Sequence, residues 1–145
     1  MKILVAVEGT SSSEETIKQL TQYFQPPVGQ FRLLHVITSI EFAASPRVIS
    51  SYTRVAQEEE KSAKALLDPY VERLRKAGYT AEAEVQSGEP SEAILAAAVN
   101  WHADLIVLGS HTSSSVSRLL LGSVAYAVVR RAACSVMVLR LGSPS

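Results

Sequence analysis

Two kinds of hydrophobic pattern alternate along the chain. Short apolar runs rich in branched residues are typical of strands that are covered on both faces in a parallel sheet. Such runs lie at Lys2–Val7, Phe31–Ile37, Leu105–Leu108 and Ser135–Arg140. The segment Thr80–Gln86 instead alternates small apolar and charged residues, which predicts an edge strand with one face in water. The pattern therefore predicts five strands.

The segments between these runs repeat their apolar residues at helical spacing. Helices are predicted after the first strand, from about Tyr52 to Ala77, from Pro90 to Val99 and over Val124–Arg131. One face of the first helix is marked by Ile17, Leu20 and Phe24.

The second helix is the longest, and the segment before it lacks a period. Its predicted inward residues are Val55, Leu66, Tyr70 and Leu74, and Pro69 is predicted to kink or interrupt it. Thr38–Ser51 contains Pro46 and no clear repeat, which predicts a loop near the carboxyl ends of the strands and a candidate lid.

Strands that alternate with helices predict an α/β domain with a parallel sheet and helices on both faces. At 145 residues the chain suits one domain, predicted over residues 1–141 with 142–145 as a flexible tail. In such a sheet a ligand binds outside the carboxyl ends of the strands, where the strand order reverses.

The connection after the fourth strand carries the strongest candidate chemistry. Gly109 ends the strand, a loop rich in Ser and Thr follows, and Gly122-Ser123 precedes the last helix. Ser123 is therefore predicted to cap that helix. Exposed backbone N–H groups and the positive end of a helix suit an anion, phosphate above all.

Composition and charge favour a cytoplasmic protein. Lysine and arginine number 14, as do aspartate and glutamate, so no net charge favours nucleic acid or an anionic membrane. The first apolar run is too short for a signal peptide. The single cysteine, Cys134, forms no internal disulfide. His35, His102 and His111 lie on separate elements without metal-ligand spacing, so neither a metal site nor a catalytic set is predicted.

The glycine-rich connection resembles the universal stress protein family at three of four motif positions. Its ATP-binding members carry Gly, two residues, Gly, nine residues, then Gly-Ser or Gly-Thr. The corresponding positions here are Gly109, Thr112, Gly122 and Ser123, with Thr112 in place of the second glycine. The resemblance extends to Ile3–Thr10, Gly88–Pro90 and Cys134–Leu139, which together cover nearly the whole chain.

This resemblance implies a Rossmann-like open twisted sheet of five parallel strands in the order 3-2-1-4-5. It also implies a homodimer through the last strand, at Val136, Met137, Val138 and Leu139. The ligand would be ATP or a related adenine nucleotide, with or without Mg²⁺. The implied nucleotide-binding residues are Ala6, Val7, Glu8, Val36, Leu108, Gly109, His111, Thr112, Gly122, Ser123, Val124 and Ala125.

The resemblance also implies particular roles at the site. Ala6 and Val7 would line the base pocket, Val36 would meet the adenine edge through its backbone, and Glu8 would face the ribose.

Two positions depart from the family pattern and leave alternatives open. Glu8 stands where Asp is usual, and Thr112 replaces a glycine, although β-branched residues resist positive φ. The first hypothesis is a dimeric stress-response protein that binds ATP as a signal, with an unidentified protein partner. The second is a dimeric interaction protein that has lost nucleotide binding. The third is an ATP hydrolase. Its hydrolysis would be slow, because the sequence contains no Walker A loop.

Overall fold

The computed structural model describes residues 1–8, 11–38, 46–110 and 121–141, with side chains described from residue 13 in the first helix and from residue 54 in the second. In these ranges strands and helices alternate. The elements are β1 Lys2–Ala6, α1 Ser11–Tyr23, β2 Gln30–Ile37, α2 Pro46–Lys76, β3 Thr80–Ser87, α3 Pro90–Trp101, β4 Leu105–Gly109, α4 Ser123–Arg131 and β5 Ser135–Leu139.

The strands form one sheet in the order β3-β2-β1-β4-β5, and all the neighbouring pairs are parallel. This confirms the predicted fold class and strand order. The order reverses between β1 and β4, because β2 and β3 lie on one side of β1 while β4 and β5 lie on the other. A crevice is expected at that reversal, outside the carboxyl ends of the strands.

The two faces of the sheet carry separate cores, because alternate residues of each strand point to opposite faces. On one face Ile3 and Val5 of β1 pack with residues of α1 and α2, including Ile17 and Leu67. On the other face Leu4 packs with residues of α3 and α4 such as Ile94, Trp101, Ala125 and Val128. Helices therefore cover both faces, as predicted.

Helix α2 differs from its prediction in start, continuity and register. It begins at Pro46, so the prediction of a loop was wrong for Pro46–Ser51. Residues 39–45 of that predicted loop lie outside the described ranges. Proline suits the first turn of a helix, where its missing N–H has no partner to lose. Pro69 lies inside α2 without ending it, and its side chain is exposed.

The inward face of α2 is rotated relative to the predicted one. Val55 and Leu66 are 42% and 41% exposed, whereas Ala63, Leu67, Val71 and Leu74 are buried. Tyr70 packs at the margin of the core. Of the four predicted inward residues, Val55 and Leu66 were therefore assigned to the wrong face.

Candidate functional site

A cavity of about 530 Å³ opens at the carboxyl ends of β1, β2 and β4. This is the place where the strand order reverses. Its walls come from three strand ends, from α1, α3 and α4, and from the chain that follows β5. The lining residues are Ala6, Val7, Glu8, Thr16, Leu34, His35, Val36, Thr38, Pro90, Ile94, Leu108, Gly109, Gly122, Ser123, Val124, Ala125 and Leu141.

Most residues predicted to contact a nucleotide lie on this one cavity. Those that line it are Ala6, Val7, Glu8, Val36, Leu108, Gly109, Gly122, Ser123, Val124 and Ala125. His111 and Thr112, the remaining predicted residues, lie outside the described residues. The fold thus brings together residues that are more than a hundred positions apart in the sequence.

Helix α4 begins at the cavity without a side-chain cap. Gly122 is its N-cap, with φ −61° and ψ 154°, and Ser123 is the first helical residue. The prediction that Ser123 is the N-cap was therefore wrong by one position. The first helical bond runs from the Tyr126 N–H to the Gly122 carbonyl at 2.8 Å. The N–H groups of the three residues before Tyr126 precede the helical ladder and have no carbonyl of α4 to bind.

This helix end supplies positive charge to the cavity. Ser123, Val124 and Ala125 all line it, so the amino end of the α4 dipole lies at the cavity wall. Arg130 and Arg131 occupy the last turn, where cations stabilise the opposite end of the dipole. The geometry suits an anionic group.

The end of β1 is held by β2. The Val7 N–H donates to the Leu34 carbonyl at 2.8 Å, and Nδ1 of His35 lies 2.9 Å from the Val7 carbonyl. Val7 is buried, and the next residue, Glu8, is exposed at the cavity. These contacts fix the end of the strand, and Glu8 is the next residue of the chain.

The start of α3 forms another wall and carries its own cap. Glu89 is the N-cap, and its carboxylate accepts from the Ser91 hydroxyl at 2.6 Å and from the Glu92 N–H at 2.8 Å. These hydrogen bonds, the Ser91 hydroxyl first, lower the pKa of Glu89 below its ordinary value. Gly88 has φ 137°, a backbone conformation that other residues rarely adopt. The turn brings Pro90 and Ile94 to the cavity.

Several lining residues were not predicted from the sequence. They are Thr16, Leu34, His35, Thr38, Pro90, Ile94 and Leu141. His35 precedes the predicted Val36, and Thr38 directly follows β2, so their position near the end of a strand was the available signal. Thr16 and Leu141 reach the cavity through tertiary packing, and the Gln19 side chain donates to the Arg140 carbonyl at 2.9 Å. The local sequence pattern does not predict this contact, because the two residues are far apart in the chain.

The positive charge at the described wall of the cavity comes from the backbone, at the amino end of α4. Among the lining residues that the structure describes, Glu8 is the one carboxylate, and none is lysine or arginine. Leu34, Ile94, Leu108 and Ala125 give it a largely apolar wall. The arrangement suits a ligand with a flat apolar part and an anionic end, held by strand-end backbone and by the α4 amides.

Within the described ranges no three His, Cys, Asp or Glu side chains are grouped as metal ligands. None of the helices in the part of the chain that the structure describes is long and apolar enough to cross a membrane.

Universal stress proteins of known sequence resemble the chain over nearly its full length. Universal stress protein Sll1388 of Synechocystis sp. is 28% identical and the match covers 96% of this chain and 97% of that protein. A putative universal stress protein of Staphylococcus aureus is 34% identical, with 95% and 82% of the two chains covered.

Solved structures share the fold. Hypothetical protein MJ0577 has a TM-score of 0.80 at 24% identity, over 97% of this chain and 96% of that one. A universal stress protein in complex with cAMP has a TM-score of 0.65 at 23% identity, over 97% and 96%. A universal stress protein family protein of Arabidopsis thaliana with AMP bound has a TM-score of 0.66 at 21% identity, over 99% and 93%.

These structural likenesses concern the fold, whereas the sequence identifies the family. Residues 1–140, nearly the entire chain, match the universal stress protein family. With the 34% identical Staphylococcus relative, this match carries the assignment. The chain belongs to the universal stress protein family.

Proposed function

We propose that this protein binds an adenine nucleotide in the cavity and uses the bound state as a signal in stress response. The observation that carries the proposal is the uncapped amino end of α4 facing a cavity with an apolar wall. Structures with the same fold contain AMP or cAMP. Both ligands combine a flat base with phosphate, a combination that suits the apolar wall and the amino end of α4.

In this proposal each part of the nucleotide has its own set of contacts. The base packs beside Ala6 and Val36, the ribose hydroxyls meet Glu8, and phosphate receives the N–H groups of Ser123 and Val124. ATP, with or without Mg²⁺, is a larger ligand of the same class; His111 and Thr112, which the family resemblance assigns to it, lie outside the described residues. The carboxylate of Glu8 is one methylene further from the backbone than that of an aspartate.

The proposal assigns no hydrolytic role to the site. Fast phosphoryl transfer needs cations that neutralise charge on the transferred group. In the described wall of the cavity that charge is limited to the dipole of α4, because the polar side chains there are Glu8, Thr16, His35, Thr38 and Ser123. Any turnover of ATP is therefore expected to be slow.

A charge at the start of α4 tests the proposal. Ser123 is exposed, and an acidic residue in the first turn favours the helix, so Ser123→Asp is expected to leave stability intact. Its negative charge repels phosphate, which predicts a loss of AMP affinity of about tenfold or more. Adenosine, which has no phosphate, should bind Ser123→Asp nearly as it binds the wild type.

Calorimetric titration of both ligands makes the comparison, with Ser123→Asn as the neutral control of similar shape. Equal loss of AMP and adenosine binding, or equal effects of Asp and Asn, would contradict a phosphate site at this helix end.

A second candidate function is a dimeric interaction protein without nucleotide. It is favoured by the sequence at two positions, since Glu8 and Thr112 depart from the pattern of ATP-binding members. It predicts that neither AMP nor ATP produces heat on titration.

A further inference from the structure

His35 binds the end of β1 at the edge of the proposed base pocket. The paired residues of β1 and β2 end at Ala6 and Leu34. Beyond that pair the Val7 N–H still donates to the Leu34 carbonyl at 2.8 Å. A regular parallel ladder would continue with a bond from the Val36 N–H to the Val7 carbonyl. Here the ladder stops before that bond, and His35 Nδ1 lies 2.9 Å from the Val7 oxygen instead.

The direction of the Val36 backbone follows from its neighbours on β2. The Leu34 carbonyl points to β1, where it receives the Val7 N–H, and the Ile37 carbonyl points to β3, where it receives the Gly88 N–H at 2.9 Å. Alternate residues of a strand direct their backbone groups to the same side. The Val36 N–H and carbonyl therefore point to the β1 side, past the end of β1, where Val36 lines the cavity.

The chemistry of the contact fixes the proton on the histidine ring. A carbonyl oxygen only accepts, so Nδ1 of His35 carries the hydrogen and donates it to Val7. The ring thus binds the oxygen atom to which the Val36 N–H would donate in a longer ladder.

We propose that His35 is a positioning residue, which binds the Val7 carbonyl and thereby keeps the Val36 N–H open for the edge of an adenine base. The inference rests on the proposed nucleotide function and goes beyond it, because it names the residue that leaves a strand-end amide available. The arrangement requires a hydrogen-bond donor in the side chain of residue 35. It does not require that side chain to be charged.

Hydrogen exchange of the backbone amides, followed by NMR, tests the arrangement without ligand. Leu34 is the internal reference, because it lies on the same strand, points to the same side and sits inside the ladder. In the wild type the Val36 amide should exchange at least about tenfold faster than the Leu34 amide. In His35→Phe the Val7 carbonyl is released, the ladder gains one bond, and the Val36 amide should become protected. Equal protection of the two amides in the wild type would overturn the proposal.

Binding of AMP tests the consequence. His35→Phe should lose about tenfold in affinity, the effect of one backbone hydrogen bond withdrawn from the ligand. His35→Asn, whose amide nitrogen lies near the position of Nδ1, should recover most of that loss and restore rapid exchange at Val36. A general destabilisation of the fold would make Val36 exchange faster in His35→Phe, which is the opposite of the expected change.

The outcomes separate this inference from the function on which it rests. If the wild type binds AMP and His35→Phe binds it equally well, the role of His35 is wrong while the nucleotide function stands. If the wild type binds no adenine nucleotide, the proposed function is wrong. The proposal that His35 keeps the Val36 N–H available to an adenine base is then wrong as well. In that case the exchange rates still decide whether His35 holds the Val7 carbonyl.

Discussion

Glu89 caps α3 with its own carboxylate, and this makes part of the stability of the protein depend on pH. The cap forms only with the ionised carboxylate, which accepts from the Ser91 hydroxyl and from backbone N–H groups of the first turn. These bonds hold the pKa of Glu89 below its ordinary value of 4.5. A lowered folded-state pKa means that the contribution is complete above the unfolded pKa and disappears as pH falls through the folded pKa.

Removing this cap should therefore destabilise the protein at neutral pH and much less in acid. For Glu89→Ala we expect a loss of about 1 kcal/mol in the free energy of unfolding at pH 7. The loss should shrink as the pH is lowered below the ordinary carboxyl pKa. Urea denaturation at several pH values measures it, with Glu58→Ala, an exposed position in α2, as the control. A loss that is the same at pH 7 and in acid would contradict the cap.

The residues of the site were predictable where they end strands or begin a helix. Apolar runs that stop at Ala6–Val7 and at Leu108–Gly109, with Gly122 before a helix, identify one edge of a parallel sheet. Thr16 and Leu141 were not predictable in this way, since each reaches the cavity from an element whose position depends on the packed core. The sequence predicts only that His35 lies in a strand. Its contact with the Val7 carbonyl is known from the structure alone.

At the scale of the element, α2 shows why a helical pattern can assign the wrong face. Its sequence contains two overlapping stripes, one through Leu66 and one through Leu67, and both include Leu74. The correct stripe contains Ala63, whose small side chain gives a weak signal although it packs closely in the core. Packing against β2 and β3, rather than propensity, decides between them.

Adjacent leucines in α2 provide a matched test of its register. Leu67 is fully buried and Leu66 is 41% exposed. Leu67→Ala should therefore cost about 2 to 5 kcal/mol of unfolding free energy, because it leaves a cavity in the core. Leu66→Ala should change stability by less than about 1 kcal/mol. Thermal or urea denaturation compares the two variants, and a larger loss for Leu66→Ala would indicate the rotated helix.

The whole molecule was predicted more completely than its parts. Four short apolar runs and one alternating segment, separated by helical segments, predicted a parallel α/β sheet, because crossovers between parallel strands are right-handed. The strand order came from the family resemblance. Helix boundaries were less certain, as Pro46 and Ser123 show. Proline fits both a loop and a first turn, and Gly122 or Ser123 can precede a helix equally well. Only the packed structure distinguishes these alternatives.

The edge of the sheet at β5 supports the proposal of a homodimer. The Ser110 N–H donates to the Leu139 carbonyl at 2.8 Å, so the backbone groups of Leu139 and Met137 point to β4. Those of Val136 and Val138 consequently point outward. An outer row of backbone groups on an apolar strand suits pairing with a second copy of the chain.

Proline at the outer edge tests this dimer. Val138→Pro removes an outward N–H that the protein's own sheet does not use, so the folded chain should persist while the dimer dissociates. Light scattering at micromolar concentration should give a dimeric mass for the wild type and a monomeric mass for Val138→Pro. Val138→Ala, which keeps the N–H, is the control and should remain dimeric. A monomeric wild type would contradict the proposal.

The central claim is that the cavity binds an adenine nucleotide, and calorimetric titration tests it most directly. The purified protein is first denatured and analysed by mass spectrometry for nucleotide carried through purification, and is then titrated with AMP and with Mg-ATP. We predict co-purified nucleotide or a dissociation constant in the micromolar range, about −8 kcal/mol at 1 µM. No bound nucleotide and no heat up to millimolar concentrations of either ligand would contradict the account.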